Sequence, residues 1–283
     1  MNLSDIRYER LRKKDYPTAK ELLSYDAGAG EDILRVLAKE PELFVAAFLK
    51  DRFVALAQVN EPAPQTYLTV FVHPQLRRQG IGSAMVKYAE NELRAGGAQK
   101  IRSSFRAGDP SSAEFARKHG YERAFSSAYM QRTGGFFPLE ELPVRPYADD
   151  DYPASQSMYA KAFHEMRVRV GGFPDSVIAR PSEKERREWN EDAEDRFVYE
   201  LDGEIIAYSH ISGNELSSVS VRTDFQGRGI GRKFVPYLCN EIYRRGHSTV
   251  NLWCVVGNYA RDLYDSLGFQ ENYKMDFMRK TLI

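Results

Sequence analysis

Along Glu215–Val221 apolar and polar residues alternate, and the alternation stops at a run reading Arg222-Thr-Asp-Phe-Gln-Gly-Arg-Gly-Ile-Gly-Arg232. Past it, Ile230, Phe234, Val235, Leu238 and Ile242 recur at the spacing of one helix face. The stretch reads as strand, tight polar turn and helix N-terminus. By strand alternation Glu215 shares a face with Ser217, Val219 and Val221. Upstream, Arg7–Leu11 reads as a strand, and Asp15-Tyr-Pro17 opens a helix, since proline is tolerated in a first turn where its missing N–H has no partner to lose. Asp151-Tyr-Pro153 repeats that opening after a strand at Val144–Tyr147. Leu43–Leu49 with Phe53–Val59, and Arg196–Leu201 with Glu204–Ile211, form hairpins about Lys50-Asp51 and Asp202-Gly203, the second a strong turn signal. Thr66–Val72 is a strand like Glu215–Val221. Lys100–Ser104 and Ser248–Val256 follow the long helices, and closing strands lie near Ser127–Arg132 and Tyr273–Arg279.

The pattern occurs twice. Val72–Gly82 aligns with Val221–Gly231 without a gap, at a constant offset of 149. Each copy is followed by a short helix ending in glycine and an aromatic residue, Asp109–Tyr121 and Asn258–Phe269. Thr133–Pro143, with two glycines and two prolines, separates the copies. The expected domains are 1–133 and 144–283, joined by residues 134–143. The second half carries an insert around Val168–Asp195. Within it Ser182-Glu-Lys-Glu185 forms a capping box ahead of a very polar helix, a candidate wall over a substrate site. Pro236 lies inside the helix after the loop and is expected to kink it near Arg232.

Glycine removes the Cβ atoms that would hold an anion away from unpaired first-turn N–H groups, so each loop suits a phosphate or pyrophosphate. Arg228 and Arg232 add charge-assisted donors. The Walker pattern is absent, and the glycine spacing fits the dinucleotide fingerprint poorly.

Gln226-Gly-Arg-Gly-Ile-Gly231 after a Val-x-Val strand, followed by Asn258-Tyr-Ala-Arg-Asp-Leu-Tyr264-Asp-Ser-Leu-Gly-Phe269, resembles the GNAT superfamily of acetyl-CoA-dependent N-acetyltransferases. The resemblance covers both halves. It implies an α/β (α+β) fold of two tandem GNAT-like domains, each a mixed, mostly antiparallel sheet flanked by helices. It implies acetyl-CoA (coenzyme A) as cofactor, with no metal. The cofactor would be held by Val219, Val221, Gln226, Gly227, Arg228, Gly229, Ile230, Gly231, Arg232 and Asn258, and in the first copy by Val72, Arg77, Arg78, Gln79, Gly80, Ile81 and Gly82. The pantetheine arm would lie beside the strand ending at Val221, and a backbone N–H there would face the thioester oxygen.

The family's acid, a tyrosine four residues before the second motif's glycine, falls on Tyr264; the first copy has Ala116 there. A phenol is a sensible proton donor to a leaving thiolate and alanine donates nothing. The histone-type glutamate falls on Glu215, against Thr66 in the first copy, with His210 and a water relay as alternative bases. The expected activity is direct acetyl transfer to a primary amine by the C-terminal domain, beside a degenerate N-terminal one. The competing class is a non-catalytic acyl-CoA sensor built from the same pair. Tyr208, Trp253 and Tyr273 are candidate cleft aromatics, with core packing the expected fate of Trp253.

Composition narrows the partners. A 283-residue chain that is 42% hydrophobic and 28% charged is of ordinary globular make-up for about two domains. A formal net charge of +0 argues against nucleic acid or an anionic membrane as the main partner; the resemblance implies a small-molecule or peptide amine as acceptor. Two unpatterned cysteines, no apolar run of membrane-spanning length and no leader-like N-terminus give a cytoplasmic expectation.

Overall fold

The computed structural model describes residues 3–173 and 175–282. In chain order the elements are β1 (Ile6–Arg10), α1 (Tyr16–Ser24), α2 (Ala27–Lys39), β2 (Phe44–Leu49), β3 (Arg52–Val59), β4 (Gln65–Val72), α3 (Ile81–Ala95), β5 (Lys100–Arg106), α4 (Pro110–Lys118) and β6 (Glu122–Thr133). There follow β7 (Val144–Pro146), α5 (Tyr152–Val170), α6 (Glu183–Glu191), β8 (Arg196–Leu201), β9 (Glu204–Ser212), β10 (Glu215–Val221), α7 (Ile230–Arg244), β11 (Thr249–Val255), α8 (Ala260–Ser266) and β12 (Gln270–Thr281).

Two compact units emerge, one running to Ala124 and resuming at Met275, the other spanning Phe125–Lys274. The first orders its strands β1-β2-β3-β4-β5-β12, the second β6-β11-β10-β9-β8-β7. A cut at the linker would give each half its own last strand. Here β12 pairs with β5 from Met275↔Arg106 to Thr281↔Lys100, while β6 pairs with β11 from Ser127↔Val255 to Thr133↔Thr249. Alternation fixes which face a strand buries, not which neighbour it takes, so both closing strands satisfied either half on pattern alone. Within the first unit, the Lys280 ammonium sits 2.7 and 2.8 Å from the two carboxylate oxygens of Glu90 on α3 and fastens β12 in place.

Among the described pairings only β4–β5 and β10–β11 are parallel. Each sheet is covered on both faces. In the first unit one core gathers Ile81, Met85 and Leu93 of α3, and the other Leu22, Leu23 and Leu37 of α1 and α2. In the second, Phe234, Leu238 and Ile242 of α7 fill one side, and Tyr152, Met158 and Trp189 of α5 and α6 the other. The β8–β9 turn takes Asp202 and Gly203 at φ 52° and 78°, as the Asp-Gly pair requires. Ser182 caps α6 through the Glu185 N–H at 3.2 Å. The reciprocal half of the capping box is replaced, since the Glu185 carboxylate accepts from the Tyr152 hydroxyl at 2.7 Å. α7 runs through Pro236 without a break, and nothing in the structure explains the proline.

Candidate active site

The two glycine loops share one backbone path. Gly80 and Gly229, aligned in the repeat, sit at the helix N-cap with φ of 88° and 82°, and neither α3 nor α7 has a side-chain cap. The uncapped first-turn N–H groups of α7 are therefore available to an anion. Gly227 has φ 75°, and its counterpart Arg78 holds the same left-handed conformation at φ 63°. A Cβ at Gly227 or Gly229 would meet nothing within 4 Å, so the floor of this loop is open. Gly231 serves packing instead: a Cβ there would lie 3.0 Å from Leu263 of α8. The guanidinium of Arg228 lies over Phe225 and that of Arg232 reaches Ser266, so both cations stand at the loop. Gln226 donates to the Val221 carbonyl at 3.0 Å and accepts from the Tyr259 hydroxyl at 2.7 Å, clamping strand end, loop and α8 together. Asn258 spends its side-chain oxygen on the Ala260 N–H at 3.0 Å, which starts α8.

Between α7 and α8 the sheet opens. β10 and β11 pair only at Glu215↔Asn251 and Leu216↔Leu252 and then part. On its other edge β10 stays joined to β9, but with a register shift between Ser217 and Ser220, and Ser218 takes φ 56°. This bulge overturns the expected strict alternation. An extra residue shifts the pleat, so Leu216, Val219 and Val221 all pack toward α7, while Ser217 faces His210 on the opposite side. The Arg222 N–H donates to Ile206 of β9. Successive N–H groups point to opposite edges, so that of Val221 faces the gap left by β11.

Tyr264 of α8 stands behind the parting in the α7-side core, its ring 5.8 Å from Phe269. Among the described residues its hydroxyl has no hydrogen-bond partner. Burial first, then the neighbouring Cys254, Tyr259 and Cys239, raise its pKa above the usual phenol range. Cys239 and Cys254 are buried free thiols, pushed up to about 12 and about 11 by desolvation, so neither is a nucleophile at neutral pH.

On the other face Glu215 lies at the base of the parting. His210, paired in register with Ser217, places Nδ1 3.2 Å from the Ser217 hydroxyl oxygen and Nε2 3.0 Å from Asp192 Oδ2. Arg196 grips the same carboxylate at 2.6 and 3.0 Å. Desolvation, helped by the Arg196 charge, lowers the His210 pKa against the opposing pull of Asp192 and Asp195. One residue past Leu216↔Leu252 the strands have parted, with Ser217 and Trp253 on the same face of the sheet. Trp253 is 37% exposed, not core as expected, and rests on Tyr129, which stacks on Tyr273 at 5.0 Å. Tyr208 is fully buried against Trp189 and lines nothing. Sequence reading missed Asp192 and Ser217. For Ser217 the signal was there in the spacing of Leu216, Val219 and Val221, where a step of three interrupts the period of two.

Residues 6–121 match the Acetyltransferase (GNAT) family, and residues 199–278 match the FR47-like protein family. The mycothiol acetyltransferase of Corynebacterium glutamicum is 26% identical, covering 95% of this chain and 96% of its own. The [Ribosomal protein bS18]-alanine N-acetyltransferase of Salmonella typhimurium is 42% identical over 59 residues, 20% of this chain and 38% of its own. The chain thus carries a GNAT acetyltransferase domain followed by an FR47-like domain. Its fold is that of solved GNAT structures. A GCN5-related N-acetyltransferase from Sphaerobacter thermophilus superposes with TM-score 0.72 at 21% identity, covering 98% and 96% of the two chains. A tandem GNAT protein from the clavulanic acid biosynthesis pathway gives 0.62 at 16% identity, covering 98% of each. GNAT enzymes take their acetyl group from acetyl-CoA. Among the described residues no helix is long and apolar enough to cross a membrane, and no group of three or more His, Cys, Asp or Glu gathers as metal ligands.

The first unit carries the same loop beside a different opening. β4 keeps regular register with β3 from Val72 to Leu68, and Leu68, Val70 and Val72 pack toward α3 at a strict period of two. A part-buried hydrogen bond between the Tyr67 and Ser104 hydroxyls crosses from β4 to β5 where those strands begin to part. At the end of β5, Arg106 holds Asp32 of α2 at 2.8 Å. Arg77 donates to the Val72 carbonyl at 3.1 Å, as Gln226 does to Val221, and turns its other end to Asp26. Gly80 is covered: a Cβ there would lie 2.8 Å from a Leu3 methyl carbon. Gly82 is tight against Phe115, as Gly231 is against Leu263. Arg78, Gln79 and Ile81 complete the loop, with Ile81 buried in the core. Ala116 is buried where the second unit has Tyr264.

Proposed function

We propose that the second unit transfers the acetyl group of acetyl-CoA directly to a primary amine, and that the first unit is a non-catalytic partner. The observation that carries this reading is the difference between the two partings. β10 is bulged, its loop floor is open and Tyr264 stands behind the gap, whereas β4 is regular, its gap is bridged by Tyr67 and Ser104, and Ala116 replaces the tyrosine.

The residues fit the cofactor. Gly227, Gly229 and the first-turn N–H groups of α7, with Arg228 and Arg232, would hold its pyrophosphate, Ile230 and Gly231 setting that turn against α8. The free edge of β10 at Val219 and Val221 would hold its pantetheine arm, and the Val221 N–H would polarise the carbonyl. Acetyl-CoA supplies, when bound, the acetyl group and a thiolate leaving group. Tyr264 stays protonated through the physiological range and donates a hydrogen bond to the departing sulfur. The amine approaches from the face of Glu215, Ser217 and Trp253 and must lose its extra proton before it attacks. One relative is named for mycothiol and another for the alanine of a ribosomal protein, so small-molecule and peptide amines both suit this face.

Calorimetric titration of acetyl-CoA into wild type, Gly229→Asp and Gly80→Asp tests the division. Aspartate tolerates left-handed φ, so each change adds charge repulsion with modest strain. One binding site, lost only in Gly229→Asp, is expected. Loss only in Gly80→Asp, or amine acetylation surviving Gly229→Asp, overturns the assignment.

A further inference from the structure

Four side chains in the second unit form one hydrogen-bonded line that ends at the parting of β10 and β11: Arg196, Asp192, His210 and Ser217. The Arg196 guanidinium is itself fixed, donating to the Trp189 carbonyl at 3.1 Å and to the buried Tyr208 hydroxyl. It holds Asp192 at the C-terminus of α6, the helix of the insert. Asp192 accepts from Nε2 of His210 at 3.0 Å, which sets the tautomer: the proton is on Nε2 and the Nδ1 lone pair points at Ser217. Ser217 is the last residue before the bulge, half-buried, on the face shared with Trp253. Its hydroxyl proton has two acceptors at 3.2 Å, Nδ1 and the carbonyl oxygen of His210.

We infer that Ser217, backed by His210 and Asp192, is the group that takes the proton from the incoming ammonium. The inference rests on the second unit being the acetyltransferase. As the amine nitrogen reaches Ser217, its N–H bond breaks and the proton bonds to the serine oxygen. The serine O–H proton passes to Nδ1, and the imidazolium charge is held by Asp192. The amine keeps the electron pair with which it attacks. After transfer the imidazolium returns the proton through Ser217 to water. Ser217 is the catalytic residue here, and His210 and Asp192 are positioning residues acting through it.

The surroundings keep His210 neutral and ready. Asp192 and Asp195 face it from the end of α6 and the turn beyond, Arg196 from β8, Ser217 and Glu215 lie on β10, and Tyr159 of α5 lies against the neighbouring Tyr208. Arg196 offsets the carboxylates, and burial disfavours the charged ring, so the lone pair is free at neutral pH. The helical insert thus brings a carboxylate to the acceptor face, beyond serving as its wall.

The test compares Ser217→Ala, Ser217→Thr, His210→Gln, Asp192→Asn and Glu215→Gln in the full chain. Coenzyme A thiol release from acetyl-CoA is followed with D-glucosamine and with an alanine-initiated tripeptide as probe amines. Hydrolysis by water, which must lose a proton to the same group, serves where neither amine reacts. Ser217→Ala and His210→Gln should lower kcat at pH 7 by about 100-fold with the acetyl-CoA KM within about two-fold of wild type, and the deficit should shrink as pH rises through the amine's own pKa. Ser217→Thr should restore most of it, and Glu215→Gln should cost less. A second readout needs no turnover: nitrogen NMR of labelled histidine in the resting protein should show His210 neutral and protonated on Nε2 at pH 7, with its Nδ1 signal moved by Ser217→Ala. Near-wild-type kcat in Ser217→Ala beside a large loss in Glu215→Gln overturns the inference, as does an Nδ1-protonated ring. Activity abolished by Gly229→Asp but indifferent to Ser217→Ala sinks the relay alone. Activity surviving Gly229→Asp, or absent from wild type, sinks the underlying assignment with it.

Discussion

Replacing Tyr264 with phenylalanine removes one oxygen from a ring whose place in the core is otherwise kept. The ring packs on Phe269 and among the α7 residues, and among the described residues its hydroxyl is bonded to nothing. No structural hydrogen bond is lost, so stability should hold or rise by up to about 1 kcal/mol as a poorly solvated hydroxyl is removed. The catalytic cost follows from what the hydroxyl does at the sulfur. A free thiol has a pKa of about 8.5, below a phenol that burial has raised, so the resting tyrosine is the weaker acid. Its contribution is therefore a hydrogen bond that strengthens as the sulfur gains charge, with full transfer following desolvation of the thiolate. Losing one such donor costs about 3 kcal/mol, or roughly 100-fold in kcat. The raised pKa also fixes the pH behaviour. Below pH 10 the tyrosine is protonated both folded and unfolded and adds no pH dependence. Above it the unfolded chain ionises first, so stability falls as pH rises toward the folded value. The assay is steady-state thiol release from pH 6 to 10 beside a thermal melt. A Tyr264→Phe enzyme with an unchanged melt and kcat within three-fold of wild type refutes the role; a collapsed melt refutes the claim that the hydroxyl is structurally idle.

Trp253→Ala, at an exposed ring next in line to Ser217, should raise the acceptor KM by about ten-fold with the acetyl-CoA KM unchanged, measured with both probe amines. Lys280→Ala strands the largely buried Glu90 and should cost about 2 kcal/mol in urea unfolding, most of it recovered in Lys280→Met/Glu90→Gln. Cys239 and Cys254 should react with a disulfide reagent at pH 8 only on unfolding, leaving activity intact over the same hours, because burial holds both as thiols.

What the sequence disclosed was what local chemistry dictates. The Asp-Gly turn, the two Tyr-Pro helix openings and the doubled glycine loop each demand one backbone shape, and each sits where it was read. The partner of a closing strand is a different kind of question. Ser127–Arg132 and Tyr273–Arg279 are both two-faced strands, and nothing in either specifies β11 or β5 until a whole sheet is assembled. The same holds for the Asp192 contact, which joins the end of an inserted helix to a strand eighteen residues later and leaves no periodicity to find. The bulge lies between these cases. Two adjacent serines followed by a shifted apolar period mark it, but such a spacing reads as noise until a second strand shows which residue is extra.

The contrast between the units also separates what a glycine loop means from what an active site means. Gly80 and Gly229 have nearly the same φ and both precede uncapped helices of fifteen residues, so the anion-binding form was kept in both copies. Arg78 holds that form without glycine, at a strain of about 1 kcal/mol that Gly227 avoids, and the path has not relaxed. The differences lie at the sheet: regular strand against bulge, bridged gap against open gap, alanine against tyrosine. On the proposed division, the loop's backbone form persists on a domain that neither binds acetyl-CoA nor transfers its acetyl group. The informative residues for ranking two tandem copies are the strand before the loop and the short helix after it, not the glycines that make both recognisable.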